Sequence, residues 1–341
     1  MKVLFIHDNI PDYLCAGLFH GLRTILGRDC LDLPRFDCMY KSMTLGTKNK
    51  IRGNAFSLYG LLDEMPELME DRFFIWHKNI KEFDYYIIAD IWNCWPTYMR
   101  LSKIIPPEKI IIIDPSDSLR VFPFNNFKSD IKINLLNLIN GISSKTKYFK
   151  REISISNQDK FGLPLFVSNI LSHIFNKNKL FPISFSIPDE KIRLSNISEK
   201  VKLFTNIIVD EELKNINQSS VYLQLNTSNY YYTEEDEYYK DIQISKFGVT
   251  TKRAGWDCLR HYEYAANGAV LCFKDLNKKY FECAPFGLND TNCIIYNNKE
   301  HLISQIDCLS DDQYQVLLTN TFNWVKSKST VAVANQFMAD L

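Results

Sequence analysis

The chain has 341 residues, 46% hydrophobic and 23% charged, and its 40 basic and 40 acidic residues cancel to a net charge of zero. That length is natural for two domains, and the composition is that of a globular protein. The balanced charge argues against a nucleic-acid-binding chain, which would carry a basic excess or stripe.

Val3-Leu4-Phe5-Ile6 reads as a buried strand running into His7-Asp8-Asn9-Ile10-Pro11-Asp12. Leu14, Leu18, Leu22, Ile25 and Leu26 then recur near helical spacing, which predicts a helix over Tyr13 to Leu26. Residues 36 to 53 read as loop, and Phe56 to Leu62 fits no single pattern. Tyr85 to Ala89, followed by Asp90, and Ile110 to Ile113, followed by Asp114-Pro115-Ser116-Asp117, are two strands about one βαβ repeat apart. Asn176 to Pro188 is polar and Pro-containing, and it marks the expected boundary between an N-terminal domain over 1–178 and a second over 179–320. Strands are expected at Ile183 to Ile187, Leu203 to Val209, Val221 to Leu225, Val270 to Phe273 and Cys293 to Tyr296. The acidic, Tyr-rich patch Tyr230 to Tyr239 reads as a surface loop. His301 to Leu309 reads as a helix, and a helical tail over 321–341 is positioned to pack back on the first domain.

The nine cysteines follow no Cys-x-x-Cys spacing, which fits reduced, buried thiols in a reducing compartment. The N-terminal apolar run is too short for a signal peptide, and no apolar stretch approaches the roughly 18 residues of a membrane-spanning helix. A cytoplasmic location is expected, with peripheral membrane contact left open.

Lys252 to Leu271 carries the densest chemistry. Lys252, Arg253, Trp256, Asp257, Arg260, His261 and Glu263 crowd the start of an Ala-rich helix that stops at Gly268 and feeds the apolar run Ala269 to Phe273. Such half-βαβ units bind ligands at the carboxyl ends of their strands. Several cations with two acids there suit an anion such as a nucleotide diphosphate. Arg260 and Glu263 share a helix face, so an i, i+3 ion pair on a solvated helix explains those two as well. His7, Asp8 and Asp12 follow the first strand, where a carboxylate or imidazole could take a proton from an acceptor hydroxyl; capping of the next helix explains the same acids. Asp114 and Asp117 end another strand and could bind a divalent ion, hold an acceptor sugar or simply make a turn. Lys150 and Arg151, in Phe149-Lys150-Arg151-Glu152, are candidate phosphate or acceptor contacts on a cleft wall.

With these residues in view, the chain resembles the GT-B glycosyltransferases. Their donor-binding helix carries an Arg-x-x-Glu-x-x-Ala-x-Gly-type motif, here Arg260 to Gly268. It is most similar to the spore-coat-type glycosyltransferase-like proteins of bacterial surface-polysaccharide loci, which share a Lys-Arg-x-Gly-Trp-Asp-x-x-Arg-x-x-Glu run and a mid-chain Phe-Lys-Arg-Glu element. The motif matches cover about a tenth of the chain. The resemblance implies an α/β fold of two Rossmann-like domains with an interdomain cleft and a helical C-terminal tail. It implies metal-independent transfer of a sugar from a nucleotide-sugar donor to a hydroxyl of a glycan or lipid-linked acceptor in surface-polysaccharide synthesis, with no resident cofactor. Glu263 would meet the ribose or sugar of the donor, and Lys252 and Arg253 its diphosphate. The sequence departs from the pattern twice: His7 to Asp12 replaces the Gly-rich loop common in retaining enzymes, and Ala269-Val270 stands where a Pro usually follows the motif Gly. A non-catalytic nucleotide- or sugar-binding protein on the same fold is the alternative. A nicotinamide oxidoreductase and a P-loop nucleotidase are disfavoured, because neither glycine signature occurs.

Overall fold

The computed structural model describes residues 1–51, 54, 56–75, 80–124, 145–154, 156–169, 180–217, 219–223 and 231–341. The expected domain boundary at 178/179 lies outside the described residues.

Two parallel sheets form the frame. The first contains β1 (Val3–Ile6), β2 (Cys30–Leu33), β3 (Tyr85–Ala89), β4 (Ile110–Asp114), β5 (Lys147–Lys150) and β6 (Leu180–Pro182), in the order β2-β1-β3-β4-β5-β6. The second contains β7 (Lys202–Phe204), β10 (Ser245–Thr251), β11 (Val270–Lys274) and β12 (Cys293–Tyr296), in the order β12-β11-β10-β7, while β8 (Ile207–Ile208) pairs with β9 (Val221–Tyr222). Every pairing is parallel. Ile110-Ile111-Ile112-Ile113 is buried throughout, as a central strand covered on both faces must be. The strand order of the first sheet reverses between β1 and β3, and a reversal opens a crevice beyond the strands' carboxyl ends.

The main helices are α1 (Tyr13–Leu26), α2 (Glu67–Phe74), α3 (Ile91–Leu101), α4 (Glu235–Gln243), α5 (Leu259–Ala266), α6 (Lys299–Asp307), α7 (Asp311–Lys326) and α8 (Thr330–Ala339). Asp12 starts α1 by accepting the backbone N–H groups of Leu14 and Cys15 at 2.9 and 3.0 Å, and Gly27 ends it at φ +54°. The chain's last helix, α8, packs on α1. A Cβ on Gly21 would stand 2.0 Å from the Thr330 carbonyl oxygen, so glycine permits that approach. His20 Nδ1 lies 2.8 Å from Thr330 Oγ1, and Phe337 meets Phe149 with ring centroids 4.6 Å apart.

Three readings of the sequence are corrected. Ile183 to Ile187 is no strand: β6 stops at Pro182, and the backbone bonds of the segment go elsewhere. Ile183 N–H donates to Lys150 O, Phe185 N–H to the Asp257 carboxylate, and Ile187 N–H to Lys328 O. Within Tyr231 to Tyr239, residues from Glu235 onward form α4, with Tyr238 and Tyr239 buried; Tyr230 is outside the described residues. The expected strand over Leu203 to Val209 is split into β7 and β8. Strand β10 escaped sequence pattern altogether, because Ser245, Gly248 and Thr250 interrupt its apolar run while being buried. Every cysteine is unpaired, and all but Cys258 and Cys308 are buried. Among the described residues no helix is long and apolar enough to cross a membrane.

Candidate active site

A cavity of about 1130 Å³ is lined from both sheets, ample for a sugar nucleotide. Its first-half wall comes from the ends of the parallel strands: Asp8 and Asp12 after β1, Asp90 and Trp92 after β3, Ser116 and Asp117 after β4, and Arg151 after β5. Its second-half wall includes Arg253, Gly255, Asp257, Cys258, Arg260 and Glu263, around the start of α5.

The residues after β1 differ in availability. His7 is buried behind the cavity wall. Its Nδ1 accepts the Asn9 N–H at 2.9 Å and its Nε2 lies 2.7 Å from Pro34 O, so neither nitrogen faces the cavity, and burial pushes its pKa down to about 4. Asp12 lines the cavity but spends Oδ1 on the α1 cap, and burial raises its pKa against those hydrogen bonds. Asp8 uses Oδ1 to accept the Ile10 N–H at 3.0 Å, whereas its buried Oδ2 has no hydrogen-bond partner among the described residues. Asp90 completes the acidic corner. It caps α3 from a left-handed backbone (φ +62°), and burial, reinforced by the Asp12 and Asp8 carboxylates, pushes its pKa up to about 6.

The two charged motifs meet across the cleft. Glu152 Oε1 accepts the backbone N–H groups of Trp256 and Asp257 at 2.7 and 3.1 Å. Arg151, 3% exposed, donates Nε to Pro115 O at 3.1 Å and Nη1 to Asp257 O at 3.2 Å, and its Nη2 pairs with the Asp117 carboxylate. Asp257 is buried; it accepts the Phe185 N–H and the Tyr262 hydroxyl, both at 2.8 Å. A Cβ on Gly255 would stand 2.5 Å from Glu152 Oε1, so the loop needs glycine there. Lys150 and Asp114 are register partners on β5 and β4, fully buried and 2.8 Å apart. Burial works to raise the Asp114 pKa, but Lys150 and the hydrogen bonds from Tyr148 and Trp92 hold it below the usual range. That pair ties strands together and does not line the cavity.

On the opposite wall, Arg253 donates Nη1 to Leu223 O at 3.0 Å, and burial together with the nearby Arg260 charge lowers its pKa. Arg260 Nε is buried with no hydrogen-bond partner among the described residues. Cys258, at the start of α5, supplies no side-chain cap, and the positive end of a helix favours an anion. Two guanidiniums and a helix N-terminus therefore face one cavity. Glu263, 8% exposed, accepts Ser57 Oγ at 2.5 Å and Tyr238 OH at 2.8 Å, and burial raises its pKa against both. Lys252 is exposed and lies over the Trp256 ring at 5.3 Å; Trp256 itself is buried near Phe273. His261 is buried beside Phe273, 4.7 Å between ring centroids, with its pKa pushed down to about 3 by burial.

Of the residues singled out from sequence, the cavity gathers Asp8, Asp12, Asp117, Arg151, Arg253, Asp257, Arg260 and Glu263. It leaves out His7, Asp114, Lys150, Lys252, Trp256 and His261. Sequence reading missed Asp90 and Trp92 as site residues, although Asp90 follows a strand just as Asp8 does. It also missed Ser57, which no local pattern marks, and it read the patch that holds Tyr238 as a surface loop.

No protein-family model matches the sequence, and no curated protein matches it. Solved structures do match the fold over its whole length. Trehalose-6-phosphate synthase aligns with a TM-score of 0.53 at 11% identity, covering 100% of this chain and 98% of the other. HepE of Anabaena, solved with UDP and glucose, aligns at 0.52 and 10% identity over 100% and 99%. Sucrose-phosphate synthase from Thermosynechococcus elongatus aligns at 0.52 and 10% identity over 99% and 98%. At such identities the likeness is one of fold: the chain has the two-domain α/β architecture of the GT-B glycosyltransferases.

Proposed function

We propose that the protein is a glycosyltransferase moving a sugar from a nucleotide-sugar donor to a hydroxyl of a glycan or lipid-linked acceptor in surface-polysaccharide synthesis. The observation that carries this reading is the cavity's polarity: Arg253, Arg260 and the N-terminus of α5 on one wall, Asp8, Asp12 and Asp90 on the other. The neighbours support it in kind, since HepE was solved with UDP-glucose.

In this reading the cationic wall holds the donor's diphosphate, and Glu263 accepts a hydroxyl of its ribose or sugar. The acceptor oxygen attacks the anomeric carbon from the acidic wall. The carbon–oxygen bond to phosphate breaks, its electron pair stays on the phosphate oxygen, and the guanidiniums and helix end stabilise that charge. The proton of the acceptor hydroxyl passes to Asp8 Oδ2, the carboxylate oxygen with no hydrogen-bond partner among the described residues. Arg151 and Asp257 hold the walls at their separation, a positioning role. The reading requires no metal and no resident cofactor, and it places the enzyme in the cytoplasm, where nucleotide-sugars and a membrane-anchored acceptor would both be in reach.

The test is nucleotide release from a panel of nucleotide-sugars, with and without acceptor. Wild type should release one nucleotide, Asp8→Asn should lower kcat with KM for the donor little changed, and Glu263→Ala should raise KM. Wild-type rates in both variants, correctly folded, would overturn the assignment. Tight nucleotide binding without release from any donor would favour a non-catalytic binding protein.

A further inference from the structure

Glu263, which the reading above places on a donor hydroxyl, already has both carboxylate oxygens engaged. One partner, Tyr238, belongs to the same half of the molecule. The other, Ser57, lies in the connection between β2 and α2 in the first half. Its hydroxyl is 2.5 Å from Glu263 Oε1 and 2.7 Å from Tyr239 OH, and its backbone N–H donates to Glu235 at 2.6 Å. Nearby, Asn54 Nδ2 donates to Tyr232 O at 2.6 Å, and Phe56 stacks on Tyr238 with centroids 6.0 Å apart. All of these contacts reach across to the second half, and one of them, from the Ser57 hydroxyl, ends on the Glu263 carboxylate.

Ser57 is 1% exposed and holds φ +68°. A serine persists in that left-handed conformation only where its surroundings over-determine it, and such strain gathers at switches and ligand clamps. A hydroxyl donating to a carboxylate on a cavity wall is also the contact a ribose or hexose hydroxyl would make. We propose that Ser57 is a built-in stand-in for a donor hydroxyl: the strap Phe56–Gly60 occupies Glu263 while the donor is absent, and the arriving donor displaces it. The inference rests on the donor reading of Glu263. Its consequence is selectivity, because a ligand must offer Glu263 a hydroxyl to release the strap, and its apparent affinity is reduced by the fraction of molecules with the strap seated.

The experiment is calorimetric titration of the full chain with UDP, GDP, CDP, TDP and ADP, comparing wild type with Ser57→Ala and Glu263→Gln. Hydrogen exchange of the residue 56–60 amides in wild type is measured in parallel. The expected result is one nucleotide that binds Ser57→Ala more tightly than wild type, by about threefold or more, binds Glu263→Gln more weakly, and speeds exchange at 56–60 in wild type. Unchanged or weaker binding by Ser57→Ala, with wild type binding normally, overturns the strap proposal alone. Should Ser57→Ala fail to fold, exchange at 56–60 that does not rise on saturating wild type overturns it. Failure of every nucleotide to bind any folded form overturns the strap and the donor reading together.

Discussion

Glu152 Oε1 lies 2.7 Å from the backbone nitrogen of Trp256, and through that contact a strand end of the first sheet grips the loop that leads into α5 of the second. The same oxygen takes the Asp257 N–H. Replacing Glu152 by Ala leaves two buried donors facing a void, and losing hydrogen bonds to a charged group costs about 2–3 kcal/mol. Glu152→Gln retains an acceptor oxygen and should cost less. Denaturant unfolding of both variants measures the difference; equal losses would mean that the charge, rather than the acceptor, holds the loop.

Gly255 sits under the same carboxylate. Gly255→Ala brings a Cβ to 2.5 Å from Glu152 Oε1 and 2.9 Å from Asp117 Oδ1, and overpacking of this kind costs about 1–3 kcal/mol. Combined with Glu152→Ala, the two losses should be less than additive, because the second change removes the atom the first one strikes. A double-mutant cycle in unfolding free energy reads this directly.

How much of this was legible beforehand depends on how local the signal was. Strands β1 and β3 and helix α1 announce themselves by unbroken apolar runs and helical spacing, and the sequence places Arg253, Arg260 and Glu263 together because one short turn and helix carry them. The partnership of Glu152 with Trp256 joins positions over a hundred residues apart, so the two motifs could be seen but not their contact. Asp114 and Lys150 looked like site residues because strand ends usually are; their pairing in register consumed both charges inside the sheet. Ser57 gave no sign, since a serine in an irregular connection has neither periodicity nor a motif.

Arg260 should separate stability from function. Its Nε has no hydrogen-bond partner among the described residues; burial works against its charge, but Cys258, Tyr264, Tyr238 and Glu263 beside it outweigh that and hold its pKa above the usual value. Arg260→Met should weaken nucleotide binding about tenfold or more while changing the melting temperature little, since Glu263 beside it keeps its hydrogen bonds from Ser57 and Tyr238. A lower melting temperature with unchanged nucleotide affinity would make Arg260 a structural residue.

Asp90 predicts a pH dependence. Its carboxyl is raised from 3.8 to about 6 in the folded chain, first by burial and then by Asp12 and Asp8. Between those values the folded state binds more protons than the unfolded state, so the carboxylate costs stability progressively as pH rises through this window, and the full cost applies above it. Asp90→Asn keeps an oxygen for the α3 cap and removes the charge. Allowing for screening at a partly open group, it should be more stable than wild type by about 1 kcal/mol at neutral pH, with the gap closing towards pH 4. Thermal melts across that range measure it, and a pH-independent difference would assign the effect to the cap.

The central claim is that the cationic wall and Glu263 receive a nucleotide. It is tested most directly by the thermal stability of the full chain with UDP, GDP, CDP, CMP, TDP and ADP, in wild type, Arg253→Ala and Glu263→Ala. A ligand that binds only the folded state raises stability by about 2.7 kcal/mol at a hundredfold excess over its dissociation constant. A rise with one nucleotide class is expected in wild type and is lost in both variants. No rise with any nucleotide, or a rise that both variants keep, would contradict it.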